Sequence, residues 1–159
     1  MDIRILSVGK IKEAYITAAV SEYAKRLGRY CKLSFVQVAD EKTPDQASEA
    51  ENRKIKEIEG ERLLKNIREH DYVLALAIEG KMPDSPELSR KLERLALSGK
   101  SALVFVIGGS LGLSDAVLSR ADEKLSFSRL TFPHQLMQVI LLEQIYRSFR
   151  IMRNEPYHK

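Results

Sequence analysis

The sequence predicts an α/β protein with a mostly parallel sheet covered by helices on both faces. Short apolar runs alternate along the chain with longer segments of helical spacing, in the order β-α-β-α-β-α-β-α-β-α. Two of the runs, 72–78 and 103–107, are apolar almost throughout, as strands buried on both faces of a sheet are. At 159 residues the chain fits a single domain, 1–159, which can bury a sizeable core without disulfides or metals.

The bounds of each predicted element follow from periodicity and from the residues at its ends. We expect strands over 3–9, 33–38, 72–78, 103–107 and 125–127, helices over 15–27, 49–70, 86–98, 115–121 and 135–150, and loops over 40–48 and 79–84. Ser85 and Ser114 are expected to be N-caps, and Pro86 suits a first helical position. The second helix is dense in alternating charge, which predicts a solvent-exposed face, and Gly60 weakens it.

Composition and charge narrow the classes of function. The net charge of +4 and the pI of about 9.2 suit an anionic partner without requiring one. No apolar run approaches the roughly 20 residues that cross a bilayer, and the N-terminus has no signal-peptide pattern. The single cysteine, Cys31, cannot form an internal disulfide, so we expect a cytoplasmic protein in which this residue packs rather than reacts.

The glycine-rich segment 108–112 is the first candidate for binding a ligand. It follows a predicted strand, and in open α/β sheets ligands bind beyond the carboxyl ends of strands, here after 78, 107 and 127. The segment GGSLG is neither a P-loop nor a dinucleotide fingerprint, and a simple strand-to-helix turn is the alternative. The usual catalytic motifs are missing: there is no G-x-S-x-G, and His70, His134 and His158 are too isolated to form a metal site.

The last helix predicts how the chain associates. Residues 136–142 are apolar almost all round the helix, whereas a surface helix is apolar along one stripe only. A second subunit would bury such a helix most easily, so we expect a two-fold homodimer; a central helix within one subunit is the alternative. Beyond this segment Glu143, Arg147 and Arg150 share one face and point toward the basic C-terminus.

The C-terminal tail, 153–159, is the second candidate for function. Its members include Arg153, Tyr157, His158 and Lys159, with a single acid. Cations position phosphates, and Tyr or His can stack on a base or relay a proton. An ordinary frayed terminus is the alternative interpretation.

Four segments in order, FVIGGSLGL, LSFSRLTFPHQL, EQIYRSFRIM and EPYHK, resemble the RlmH family of small SPOUT-class methyltransferases. The resemblance runs from ILSVGK near the N-terminus, through IEGK, to the last residue. It implies an α/β-knot fold with a C-terminal trefoil knot, a homodimer, and transfer of methyl from S-adenosylmethionine to N3 of a pseudouridine in 23S ribosomal RNA. The small basic surface favours assembled ribosomal particles as the substrate. Two alternatives are a SPOUT enzyme acting on transfer RNA or a ribose hydroxyl, and a non-catalytic ribosome-binding factor.

The resemblance also implies a cofactor site without a metal. Its residues would be Leu76, Gly108, Phe127, Ser128, Arg129, Leu130, Thr131 and Phe132. Backbone groups would hold the adenine edge and the methionine portion, and Leu76, Leu130 and Phe132 would supply apolar walls. No metal is needed because the sulfonium already makes the methyl group electrophilic.

The catalytic residues are predicted in the tail. Tyr157 and His158 would remove the N3 proton, and the cofactor that they reach is that of the partner subunit or of their own. Arg147, with Arg153 as a second candidate, would hold an RNA phosphate or a carbonyl oxygen of the base. His134 is the alternative base, and packing or capping at the start of its helix is the alternative role for that residue.

Overall fold

The computed structural model describes residues 1–159 and contains ten elements in the predicted order, with the fifth strand at 123–125 instead of the predicted 125–127. The strands are β1 (Asp2–Val8), β2 (Lys32–Val38), β3 (Tyr72–Lys81), β4 (Ala102–Ile107) and β5 (Glu123–Leu125). The helices are α1 (Ala14–Leu27), α2 (Glu49–Leu64), α3 (Ser85–Leu97), α4 (Asp115–Arg120) and α5 (His134–Met152). All five strands are parallel, in the order β2-β1-β4-β3-β5. The α/β fold class is therefore confirmed, and the trefoil knot stays a prediction.

The alternation of side chains along each strand divides the core into two layers. On β1, Ile3 and Ile5 face one layer and Leu6 and Val8 face the other, since successive side chains of a strand point to opposite faces. Helices α1, α3 and α5 cover the first face, and α2 and α4 cover the second. Helices on both faces satisfy the expectation for a parallel sheet. None of the helices combines the length and the apolar character that a membrane span requires.

The charged helix α2 differs from its prediction. It ends at Leu64 rather than at residue 70, and Gly60 lies buried within it instead of weakening it. A Cβ atom at Gly60 would collide with the side chain of Ser114 and press on Val117, so the glycine allows α2 to approach α4 closely. Ser114 is the N-cap of α4, as predicted, and accepts a hydrogen bond from the N–H of Val117.

The boundaries around β3 and α3 also need correction. Strand β3 continues to Lys81, which pairs with Leu125, so the predicted loop 79–84 is wrong in its first half. The N-cap of α3 is Asp84, not Ser85. Its carboxylate accepts the N–H of Glu87 at 2.7 Å and the Glu87 carboxylate accepts the N–H of Asp84 at 2.7 Å, which completes a capping box.

Helix α5 changes its surroundings along its length. Its second half is buried between α1 and α3, where Leu141, Leu142 and Ile145 are fully covered within one chain. Its first half is less covered, and Leu136 is 37% exposed. From residue 141 onward, α5 is therefore a central helix within one subunit. The homodimer stays a prediction, and its interface would involve the first two turns of α5.

Candidate active site

A cleft of about 800 Å³ opens at the carboxyl edge of the sheet. Its walls come from the second half of β3 and from the loops after β4 and β5, which lie together because parallel strands end at the same edge. They contribute 76–79, 107–113, 125–128 and 130–133, and α5 adds His134 and Met137. This volume lies within the roughly 300–1,000 Å³ range of small-molecule sites.

The glycine loop is both a tight turn and a wall of the cleft. The N–H of Gly112, whose φ is +87°, donates to the carbonyl of Gly109 at 3.1 Å, so the loop folds back on itself. A Cβ atom at Gly108 would lie 2.7 Å from the carbonyl carbon and oxygen of Gly112. Only a residue without a side chain fits there, because a Cβ atom would meet the backbone on the other side of the turn.

Beneath this loop lies Glu59 of α2, which the sequence pattern did not single out. Glu59 is 4% exposed, and its two carboxylate oxygens lie 3.2 and 3.4 Å from the position that a Cβ atom would take at Gly109. One of them accepts the N–H of Glu41 at 3.0 Å, which ties the segment after β2 to α2. Burial raises the pKa of Glu59, and the nearby charges of Asp40 and Glu41 act in the same direction. No sequence signal distinguished this carboxylate from its solvated neighbours on the same helix.

The residues expected to bind the cofactor lie around this cleft with one exception. Leu76, Gly108, Phe127, Ser128, Leu130, Thr131 and Phe132 line it. Arg129 belongs to the same loop but is exposed and does not line the cleft. The loop is shaped internally, since Ser126 Oγ donates to the carbonyl of Ser128 at 3.0 Å and Ser128 Oγ accepts the N–H of Leu130 at 3.0 Å. Leu130 is 69% exposed and forms a rim rather than an enclosed wall.

The tail residues form a second cluster, which is docked and not frayed. Arg147 makes two hydrogen bonds to one oxygen of Glu143, at 3.1 and 2.6 Å, and the hydroxyl of Tyr157 donates to the same oxygen at 3.0 Å. The Arg147 guanidinium also lies 4.7 Å from the centroid of the Tyr157 ring, and its Nη1 lies 3.3 Å from Nδ1 of His158. Partial burial and the hydrogen bond to Glu143 raise the pKa of Tyr157 to about 12. The phenol therefore stays protonated at neutral pH.

The two clusters lie at opposite ends of α5. His134 opens the helix and borders the cleft, where its Nε2 lies 3.6 Å from the Cβ position of Gly9. Arg147 is thirteen residues farther on, which is about 20 Å along the axis at ~1.5 Å per residue. The structure thus brings the cofactor candidates together with His134, and brings Arg147, Tyr157 and His158 together elsewhere. No group of three or more His, Cys, Asp or Glu residues is arranged to hold a metal ion.

Comparisons with known proteins identify the family of the chain. Residues 1–158 match the family described as "Predicted SPOUT methyltransferase". The chain is similar to proteins named "Ribosomal RNA large subunit methyltransferase H" from Clostridium kluyveri, at 58% identity, and Bacillus pumilus, at 57%, with 100% of each chain covered.

Solved structures support the fold alone, because their sequence identities are low. A probable methyltransferase from Bordetella pertussis Tohama I superposes with a TM-score of 0.58 at 13% identity, covering 92% of this chain and 95% of that one. A probable methylase family protein from Haemophilus influenzae Rd KW20 gives 0.51 at 15% identity, covering 96% and 66%. With the family match spanning nearly every residue, the chain belongs to the SPOUT methyltransferase family, as its motifs predicted.

Proposed function

We propose that this methyltransferase moves a methyl group from S-adenosylmethionine to N3 of a pseudouridine in 23S ribosomal RNA. The observation that carries the proposal is the 58% identity, over the whole of both chains, with relatives named as methyltransferases of large-subunit ribosomal RNA. Both the cleft and the tail lie inside the matched region. A net charge of +4 is compatible with an RNA substrate.

The cleft has the size and chemistry to hold the donor. Its backbone-lined glycine loop and the loop 126–132 would offer N–H and C=O groups to the adenine edge and the methionine portion, and Leu76 and Phe132 would contact the apolar faces. When bound, the donor supplies a methyl carbon made electrophilic by its sulfonium. The N3–H bond of the base breaks as the N–CH₃ bond forms, the proton passes to a base, and S-adenosylhomocysteine leaves.

His158 is our proposed proton acceptor. A guanidinium only donates, so a hydrogen bond between Arg147 Nη1 and His158 requires the ring nitrogen Nδ1 to accept. Once Arg147 turns to an RNA phosphate or carbonyl, with Arg153 assisting, Nδ1 is free to take the N3 proton. Tyr157, held protonated by its pKa of about 12, would act as a hydrogen-bond donor and not as the base. His134 is the alternative base because it already borders the cleft.

The separation of the two clusters favours a composite site in a homodimer. The tail lies about 20 Å along α5 from the cleft of its own chain. A second copy packed on the half-exposed first turns of α5, around Leu136, would bring the tail of one subunit toward the cleft of the other.

Mixing two inactive variants tests the composite site. Gly108→Ala would block the cleft and His158→Ala would disable the tail. In re-assembled mixtures about half of the dimers would be hybrids with one intact site each, and about a quarter of the wild-type activity should return. Mixtures that stay inactive, with hybrid formation verified by mass, would contradict a site shared between subunits.

The main experiment measures transfer of radiolabelled methyl to cytoplasmic RNA and particles. Whole ribosomes, separated subunits, naked 23S RNA and transfer RNA would be compared, all from cells lacking the enzyme, with mapping of the modified base. Label at N3 of one pseudouridine, mainly in assembled particles, is the expected result. Label on transfer RNA alone would redirect the substrate. A binding factor without catalysis would give no label and no heat on titration with S-adenosylmethionine.

A further inference from the structure

Three side chains fasten the C-terminal tail to the turn between α1 and β2. The hydroxyl of Tyr30 donates to Oε2 of Glu155 at 2.5 Å, and Nη1 of Arg150 lies 2.7 Å from the same oxygen. Nη1 of Arg150 also donates to the Tyr30 hydroxyl at 3.3 Å, and its Nη2 donates to the carbonyl of Pro156 at 3.0 Å. We call Tyr30, Arg150 and Glu155 the clasp. It joins residues 125 positions apart in the chain.

The Tyr30 side of the clasp is rigid. Its ring stacks on Phe149 with centroids 5.5 Å apart and meets the edge of Tyr146 at 6.0 Å. Both of these partners are buried in the core. The guanidinium of Arg153 lies 4.8 Å from the centroid of the Tyr30 ring, which adds a second contact from the tail. A fixed tyrosine can therefore hold a segment that has no regular structure of its own.

The backbone of the tail is turned toward the clasp as it leaves α5. Asn154 has a φ of 51°, in the left-handed region, and its N–H donates to the carbonyl of Ile151 at 3.0 Å. The N–H of Glu155 donates to the carbonyl of Arg150 at 2.9 Å. These two bonds form a Schellman motif, which ends a helix and reverses the chain. Arg150 thus holds Glu155 through its own carbonyl and its guanidinium together.

The charge of Glu155 suits this role. The hydrogen bond from Tyr30, followed by the positive charges of Arg150 and Arg153, lowers the pKa of Glu155. The carboxylate is therefore ionised at neutral pH and accepts charge-assisted hydrogen bonds, which are shorter and stronger than neutral ones.

We propose that the clasp residues Tyr30, Arg150 and Glu155 are positioning residues for methyl transfer, which hold the tail so that Tyr157 and His158 lie against Arg147. The inference rests on the proposed function, since it is the tail that would meet the RNA base. Glu155 precedes Tyr157 by two residues, and the only side-chain hydrogen bond of Tyr157 is to Glu143. Without the clasp, the path from the end of α5 to Tyr157 would lose its side-chain anchor.

If the clasp served only to stabilise the fold, its loss would lower the melting temperature. The side chains of Arg150 and Glu155 are 20% and 28% exposed, and partly exposed ion pairs contribute little to global stability. Loss of the clasp should therefore loosen the tail without lowering the melting temperature. Small losses of orientation at a reacting centre can nevertheless reduce rates greatly.

The test compares Glu155→Gln and Tyr30→Phe with two matched controls. Glu22→Gln breaks the exposed Glu22–Arg26 pair, and Tyr15→Phe removes the hydroxyl of a tyrosine that is 71% exposed. For each full-length protein we would measure amide hydrogen exchange over 153–159, the dissociation constant for S-adenosylmethionine, and kcat and KM on the particle that accepts methyl.

We expect faster exchange in the tail and a fall in kcat of about 10- to 100-fold for Glu155→Gln, with a smaller fall for Tyr30→Phe, whose ring still stacks. Donor affinity, melting temperature and both controls should match the wild type. The double variant should be no worse than Glu155→Gln, because groups that act as one unit are not additive. Unchanged tail exchange, or a kcat within about two-fold of the wild type, would overturn the proposal. If the wild type methylates no RNA, the proposed function fails, and the exchange data still decide whether the clasp orders the tail.

Discussion

The two candidate sites at the ends of α5, the cleft and the tail cluster, are formed by different kinds of groups. At the cleft end, a tight glycine turn and apolar side chains form the walls, and a Cβ atom at Gly108 would overlap Gly112. At the tail end, ionised and aromatic side chains such as Glu143, Arg147 and Tyr157 form the cluster. A tight glycine turn is damaged by adding atoms, and a cluster of side chains is damaged by removing them. This difference predicts opposite sensitivities to mutation.

The largest expected effect concerns the helix that joins the two ends. Leu142 is fully buried in the second half of α5, whereas Leu136 in the first half is 37% exposed. We expect Leu142→Ala to reduce the free energy of unfolding by about 2–5 kcal/mol. Leu136→Ala should cost no more than about 0.5 kcal/mol within one chain, and act on dimer dissociation instead. Urea unfolding at two protein concentrations measures both; equal, concentration-independent losses would contradict the difference between the halves.

Adding a methyl group at the cleft should have the next largest effect. In Gly108→Ala the new Cβ lies 2.7 Å from backbone atoms that cannot rotate away. Overpacking of this kind costs about 1–3 kcal/mol, so we expect donor affinity, measured by titration calorimetry, to fall at least about 10-fold. The control is Gly28→Ala, whose Cβ would have its nearest neighbour at an ordinary 3.4 Å. Equal donor affinity in Gly108→Ala and the control would argue against a role of the glycine turn in donor binding.

Removing a charge at the tail should affect turnover and leave donor binding unchanged. Glu143→Gln weakens charge-assisted bonds to Arg147 and Tyr157, each worth about 1.5–3 kcal/mol, and we expect kcat to fall about 10-fold. The pKa of Tyr157 should fall from about 12, because a neighbouring negative charge no longer opposes the phenolate. Ultraviolet titration of tyrosinate follows this change. Glu22→Gln, which breaks another i,i+4 pair, should alter neither quantity.

The smallest effect concerns the carboxylate beneath the glycine loop. A carboxyl whose pKa is raised by folding contributes stability below its unfolded pKa and loses that contribution as pH rises through the folded value. Glu59→Gln keeps an acceptor for the N–H of Glu41 and removes the titration. The variant should therefore become more stable relative to the wild type as the pH rises above about 4.3, the usual unfolded pKa of Glu. Glu57→Gln changes an exposed residue on the same helix and serves as the control. Its urea midpoint should differ from that of the wild type by an amount that does not change with pH.

Apolar periodicity and strand topology could be predicted from the sequence, whereas individual tertiary contacts could not. The order of ten elements was predictable because apolar periodicity records burial, and the cleft loops were predictable because parallel strands end together. The N-cap of α3 is Asp84 and not Ser85, and the sequence contains the signal for it, because Asp84 and Glu87 have the spacing of a capping box. Glu59 could not be found, since its burial depends on α2 lying against the glycine loop and the segment after β2, a tertiary contact that charge patterning does not encode.

The position of β1 in the sheet affects how the protein folds during its synthesis. Strand β1 lies between β2 and β4. Its partner β4 is far along the chain, since Asp2 pairs with Ala102. At translation rates of about 5–20 residues per second, the roughly 100 residues between them take about 5–20 seconds to emerge. During that interval one hydrogen-bonding edge of an apolar strand has no partner in the nascent chain. Such an edge invites pairing with other chains, so the N-terminal strand is where we expect chaperone dependence during synthesis to be greatest.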